Sequence, residues 1–128
     1  MEYRFFSDAE LGCQCDLCKD NPTSSHMDET FMRCLIKMRE ELGFALPVSS
    51  AYRCPMHPIE AGKSSLGSHS SGKAVDIKLS GSRAYKLLRL SMSYGILGIG
   101  ISQKGEHSSR FIHLDIWDGG ARPALWSY

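Results

Sequence analysis

His69 and Asp76 stand seven positions apart in Ser68-His69-Ser70-Ser71-Gly72-Lys73-Ala74-Val75-Asp76-Ile77, joined by small residues and a glycine. Neutral imidazole and carboxylate both ligate Zn²⁺, and a catalytic zinc site combines three protein ligands with an open position. The pair therefore calls for a third ligand, and Phe111-Ile112-His113-Leu114-Asp115-Ile116-Trp117 offers His113. Together the three would form a His₂Asp metal site. Taken singly, each also reads as a satisfied polar side chain or a turn former.

The second segment alternates strictly. Ile112, Leu114 and Ile116 share one strand face, while Phe111, His113, Asp115 and Trp117 share the other. Residues two apart on a strand are separated by roughly 6.6 Å of rise, so one of His113 and Asp115 can bind a metal while the other reaches the water beside it. Asp115 is then the first choice for a general base. Its alternative reading is a carboxylate that hydrogen-bonds and orients a ligand histidine. In Ala74–Leu79, Val75, Ile77 and Leu79 oppose Ala74, Asp76 and Lys78 by the same parity, so two strands each present a ligand on their less apolar face.

Those strands must be held by the rest of the chain. The stretch 1–23 reads as irregular, with a turn at Asp20-Asn21-Pro22. Residues 27–42 carry Phe31, Cys34, Leu35, Met38 and Leu42 at helical spacing, with Gly43 as the stop. A short strand over 47–52 ends at Arg53, and 54–68, rich in Pro, Gly and Ser, is expected to be a loop. Ser82 can cap a helix over 83–94 with Ala84, Leu87, Leu88 and Met92 inward, and a strand over 96–102 turns at Lys104-Gly105 into the His113 strand. The tail 118–126 is turn-rich, with Trp126 expected to pack. This order implies an α+β fold, a small antiparallel sheet flanked by helices, in a single domain spanning 1–128.

Composition sets outer bounds. The chain has 128 residues, 42% hydrophobic and 23% charged, with a net charge of +1. That suits one domain with a real core and gives no support for a nucleic-acid or membrane partner. A monomer is expected. No secretion signal is visible at the N-terminus, which implies synthesis in the cytoplasm. Five cysteines, an odd count, argue against a disulfide framework. Cys13-x-Cys15-x-x-Cys18 is dense enough for a second, structural zinc, with Cys34, Cys54 or His26 as a fourth ligand. Reduced or loosely paired thiols are the competing reading, since only one Cys-x-x-Cys pair is present.

His69-x-x-Gly72-x-Ala74-x-Asp76, preceded by Ser68, resembles the signature of the zinc D-Ala-D-Ala carboxypeptidase and L-alanyl-D-glutamate endopeptidase family, which shares its fold with the hedgehog signalling domain. The spacer between serine and histidine is missing here. Three further blocks are similar to the phage-like branch of that family: Phe6-Ser7-x-x-Glu10-Leu11, Ser50-Ala51-Tyr52-Arg53 followed by His57, and Gly98-Ile99-Gly100 leading to Phe111–Asp115. The resemblance implies zinc on His69, Asp76 and His113, and hydrolysis of peptidoglycan stem peptides by carboxypeptidase or endopeptidase action. It implies that Arg53 grips the substrate carbonyl or carboxylate; a surface ion pair is the other reading of that arginine. Ser68 reads either as a turn residue or as a substrate contact. A small enzyme without a signal is similar to phage lysis or virion enzymes, which reach the wall after release. In carboxypeptidase members the acid/base carboxylate lies three positions before the last histidine, where Arg110 stands here, so Glu106 or His107 are alternatives to Asp115. Because the fold also occurs in a signalling domain, a zinc-containing binding module without turnover is the rival class.

Overall fold

The computed structural model describes residues 3–18 and 23–128; the expected turn at Asp20-Asn21-Pro22 lies outside them. Four α-helices are found among these residues: α1 (Asp8–Leu11), α2 (Glu29–Leu42), α3 (Pro58–Ala61) and α4 (Gly81–Ser93). Five strands, β1 (Val48–Ser50), β2 (Ala74–Ile77), β3 (Gly98–Ser102), β4 (Phe111–Asp115) and β5 (Ala124–Ser127), form one sheet in the order β1-β2-β4-β3-β5. All neighbours pair antiparallel except β3 and β5, which are parallel. The α+β class and the largely antiparallel sheet are as the sequence implies; the parallel edge strand, in a tail read as turns, is new.

One face of the sheet is apolar and carries the helices. Val75 and Ile77 of β2, Ile99 of β3, and Ile112 and Leu114 of β4 bury there with Phe31, Met32, Leu35 and Met38 of α2 and Ala84 and Leu87 of α4. Burying such side chains is worth about 1.5–3 kcal/mol each, and the alternation of β2 and β4 makes the opposite face polar. Asp28 caps α2 by accepting the Phe31 N–H at 2.9 Å, and Gly43 ends it in the left-handed region. On α4 the expectations need two corrections. The helix begins after Ser80 rather than Ser82, and Met92 is 61% exposed while Ser91 is buried, because Ser91 and not Met92 lies on the stripe of Ala84 and Leu87.

Two segments read as irregular contain short helices with clear causes. Ser7-x-x-Glu10 is a capping box: the Ser7 hydroxyl accepts the Glu10 N–H at 3.1 Å, and a Glu10 carboxylate oxygen accepts the Ser7 N–H at 3.0 Å. The second Glu10 oxygen accepts the Val48 N–H at 3.1 Å and so ties α1 to β1. Pro58 opens α3 at a position where its missing N–H costs nothing, and His57 caps it, Nδ1 accepting the Ile59 N–H at 3.2 Å.

Gly72, in the centre of the His–Asp motif, has φ +75°, and a Cβ there would collide with the His26 carbonyl. Its own carbonyl accepts the Asp28 N–H at 2.8 Å, joining the motif to the start of α2. A side chain at this position would be strained twice, by the left-handed backbone and by the contact.

Glu10→Ala removes acceptors from two backbone N–H groups on different elements, and we expect a loss of about 1–2 kcal/mol in urea denaturation. A cost no larger than that of an ordinary exposed substitution would contradict the link between α1 and β1.

Candidate metal centre

The polar face of the sheet carries the site. Asp76 and His113 are direct partners in the β2–β4 register, and His69 enters from a single turn of 3₁₀ helix, Ser68–Ser71, that precedes β2. His69 Nε2 lies 3.3 Å and His113 Nδ1 3.0 Å from the same Asp76 oxygen, Oδ1. All three donor atoms fall within 4.8 Å of one another, and all three residues are buried. The structure thus brings together the three residues expected as metal ligands.

The outer nitrogens are anchored by acceptors. His69 Nδ1 is 2.7 Å from the Ala51 carbonyl, and His113 Nε2 is 2.7 Å from Asp115 Oδ2. Both partners are acceptors, so the outer nitrogens can donate to them while the inner nitrogens face Asp76 Oδ1 and are the ones a metal would use. Without a metal the 3.0 Å contact of His113 Nδ1 with Asp76 Oδ1 is a hydrogen bond; a bound cation would take the place of that hydrogen and draw on the same nitrogen and oxygen. Tetrahedral zinc, at about 2.0–2.1 Å from each donor, requires donor separations of roughly 3.3 Å, close to the two observed. The donor set therefore fits a divalent cation. Burial disfavours a charged His113, yet its hydrogen bonds to Asp115 and Asp76 win and raise its pKa. Asp76 is also penalised by burial, but His113 and His69 hold it well below the usual carboxylate range.

Asp115 is fully buried, and its four contacts occupy both oxygens. Oδ1 accepts the Trp117 N–H at 3.2 Å and Arg122 Nε at 2.9 Å; Oδ2 accepts His113 Nε2 and, at 2.8 Å, Arg122 Nη2. Burial pushes its pKa up, but His113 and Arg122 bring it down to about 2. The space for this carboxylate comes from β3. Gly98 is its register partner, and a Cβ there would collide with both its oxygens.

β1 ends at Ser50, short of the expected strand end at Arg53, which lies in the irregular segment after it and points at the same centre. Nε donates to the Ser50 hydroxyl at 3.1 Å, while Nη2 and Nη1 lie 3.6 Å from Asp76 Oδ2 and Glu60 Oε2. A cleft of about 350 Å³ opens over His69, Asp76 and His113, lined also by Arg53, Lys63, Ser68, Phe111, Trp126 and Tyr128. Arg53 and Ser68 thus share a cleft with the three expected ligands. Among the described residues lining it, Asp76 is the one carboxylate. His107 Nδ1 instead faces the Ser80 hydroxyl at 3.3 Å, and Glu106 is exposed beside it.

Two residues of the site escaped the reading of the sequence. Glu60, on α3, is buried and accepts from Lys63 Nζ at 2.9 Å, the Gly67 N–H at 3.0 Å and the Ser70 hydroxyl at 3.2 Å, so it organises the loop that carries His69. The Pro58 helix start was its available signal. Arg122, which grips Asp115, stacks its guanidinium 5.0 Å over both Trp117 and Trp126; no short-range pattern announces it.

A buried His–Asp–His group, each outer nitrogen anchored by a backbone carbonyl or a carboxylate, under an open cleft, can hold one metal ion. The Peptidase M15 family model matches residues 4–115, and the chain belongs to that family of peptidases. None of the curated proteins and none of the solved structures compared with the chain matches it.

Burial raises the Glu60 pKa, but Lys63, the Gly67 N–H and Ser70 outweigh it and lower the value from 4.5 to about 2. A depressed carboxylate contributes stability that is complete above its unfolded pKa and is lost as pH falls through the folded one. Glu60 therefore stabilises the protein above about pH 4.5, and its contribution disappears toward pH 2. Melting temperature followed from pH 7 to pH 2 should fall less steeply in Glu60→Gln than in the native protein, and the variant should be about 2 kcal/mol less stable at pH 7. Parallel curves would contradict this assignment.

Proposed function

We propose that the protein is a zinc peptidase that hydrolyses peptidoglycan stem peptides at a bond involving a D-amino acid or D-glutamate. The observation that carries the proposal is the convergence of His69 Nε2, Asp76 Oδ1 and His113 Nδ1 beneath a cleft with a cationic wall. Family membership supports peptide hydrolysis, and the likeness of the His69–Asp76 motif to wall-peptidase signatures supports the substrate class. Stem peptides carry several carboxylates, which Arg53 and Lys63 suit. A phage lysis or virion role is the biological setting we favour.

Zinc held by these residues would supply Lewis acidity, activating water near neutral pH and polarising a carbonyl. The chain's own groups do the rest. Arg53 bonds to Ser50 through Nε, and its terminal nitrogens sit 3.6 Å from two acids, beyond hydrogen-bond range, so they can turn to a substrate oxyanion. Ser68 at the cleft wall can hydrogen-bond the peptide backbone. Phe111, Trp126 and Tyr128 form an aromatic wall for the aliphatic parts of the substrate.

Asp115 is the expected general base, and the geometry favours its other role, orienting His113. Its oxygens are filled by four donors, it meets His113 on the nitrogen remote from the metal centre, and a pKa near 2 leaves it a weak base at neutral pH. Proton transfer then falls to a group outside the cleft wall, and Glu106 and His107, on the turn before β4, are the candidates. The lack of a second carboxylate among the described lining residues also supports an alternative, a zinc-containing binding module of the same fold without turnover.

Purified peptidoglycan incubated with zinc-loaded protein should release stem-peptide fragments identifiable by mass. Asp115→Asn should bind zinc about 10–100-fold more weakly, and saturating zinc should restore most of its activity. If Asp115 is the base instead, zinc affinity will stay high and no amount of zinc will restore turnover. Bound zinc with no fragments from any wall type would support the binding module.

A further inference from the structure

Cys13, Cys15, Cys18 and Cys54 lie far from the catalytic ligands in sequence, and the chemistry proposed above does not use them. All four thiols are free, and their sulfurs lie within 4.8 Å of one another, with Cys15 Sγ 3.5 Å from Cys54 Sγ. Four sulfurs at 2.3 Å around a tetrahedral zinc are about 3.8 Å apart, so the spacing of the thiols is compatible with such a site. Cys34, on α2, is outside the group, and His26 stacks on Tyr52 at 4.6 Å rather than joining it. Of the three residues considered as a fourth ligand, Cys54 is the one assembled.

The backbone is shaped for the same purpose in two places. The Cys18 N–H bonds to the Cys15 carbonyl and the His57 N–H to the Cys54 carbonyl, both at 3.0 Å, so each of Cys15 and Cys54 opens a tight turn. In each turn the amide two residues on, Leu17 or Met56, points back at the cysteine sulfur. Amides aimed at sulfur stabilise thiolate ligands and hold them in place. In the first turn Cys18 supplies the second ligand. In the second that place is taken by His57, whose Nδ1 is committed to capping α3, and Cys13 completes the set.

We propose that Cys13, Cys15, Cys18 and Cys54 bind one structural Zn²⁺ ion, separate from the His69–Asp76–His113 centre. The ion clamps the segment after α1 to the residue directly following Arg53. The Tyr52 N–H bonds to the Leu11 carbonyl at 3.1 Å between the same two segments, and the clamp would reinforce that attachment. Its loss would free the chain on which Arg53 is mounted.

Zinc and iron are counted by mass spectrometry in the full chain purified under reducing conditions, for the native, His69→Ala, Cys34→Ser and Cys54→Ser proteins. His69→Ala tests the cysteine site by itself, whatever becomes of the peptidase reading, and should retain one zinc per chain. Cobalt-loaded His69→Ala should show the near-ultraviolet thiolate-to-cobalt charge-transfer band, a readout on intact thiols that does not depend on Cys54→Ser folding. Cys34→Ser should match the native metal content, and Cys54→Ser should hold one zinc fewer. No zinc in His69→Ala, no charge-transfer band, iron in place of zinc, or a Cys15–Cys54 disulfide detected by mass would each overturn the proposal.

Discussion

The carboxylate of Asp76 is the constraint on which the site depends. Its Oδ1 faces both ligand histidines and its Oδ2 faces Arg53, so three groups from three parts of the chain are aimed at one buried negative charge. A buried carboxylate is tolerated only when such partners compensate its lost hydration. The β2–β4 register sets Asp76 against His113, the Gly72 turn brings in His69, and Arg53, just beyond β1, closes the ring. Slipping β2 by one residue would send Asp76 into the apolar layer and Val75 or Ile77 into the cleft.

A second layer of polar contacts keeps these groups still. Ala51 and Asp115 fix the rotation of the two imidazoles, Arg122 fixes Asp115, and Glu60 fixes the loop around His69. The layer is saturated: no buried side-chain nitrogen or oxygen among the described residues lacks a hydrogen-bond partner. Such networks hold their shape well when complete and are costly to interrupt, which makes the outer residues as consequential for the metal as the ligands themselves.

Period-two patterning made the ligand face legible in the sequence. Once Ile112 and Leu114 are assigned to the core, His113 must face the other way, and Val75 and Ile77 do the same for Asp76. The main helix was equally readable from Phe31, Leu35 and Met38. What escaped notice is of two kinds. The Ser7–Glu10 capping box and the Pro58 helix start were written locally but read as loop, since one-turn helices carry no periodicity. The Arg122–Asp115 pair and β5 depend on the tail returning alongside β3, a tertiary event with no short-range signature. The four-cysteine cluster was half legible: the spacing of Cys13, Cys15 and Cys18 suggested a metal, and only the fold could choose Cys54 over Cys34 and His26.

The inner nitrogens of His69 and His113 and one Asp76 oxygen converge as a ready donor set for a metal. Anomalous scattering at the zinc edge from a zinc-loaded crystal tests this most directly. The account predicts a peak about 2.0–2.2 Å from His69 Nε2, Asp76 Oδ1 and His113 Nδ1, with His113 Nε2 still bonded to Asp115. A peak bound through His113 Nε2, with Asp115 displaced, or no peak between these residues at all, would contradict it.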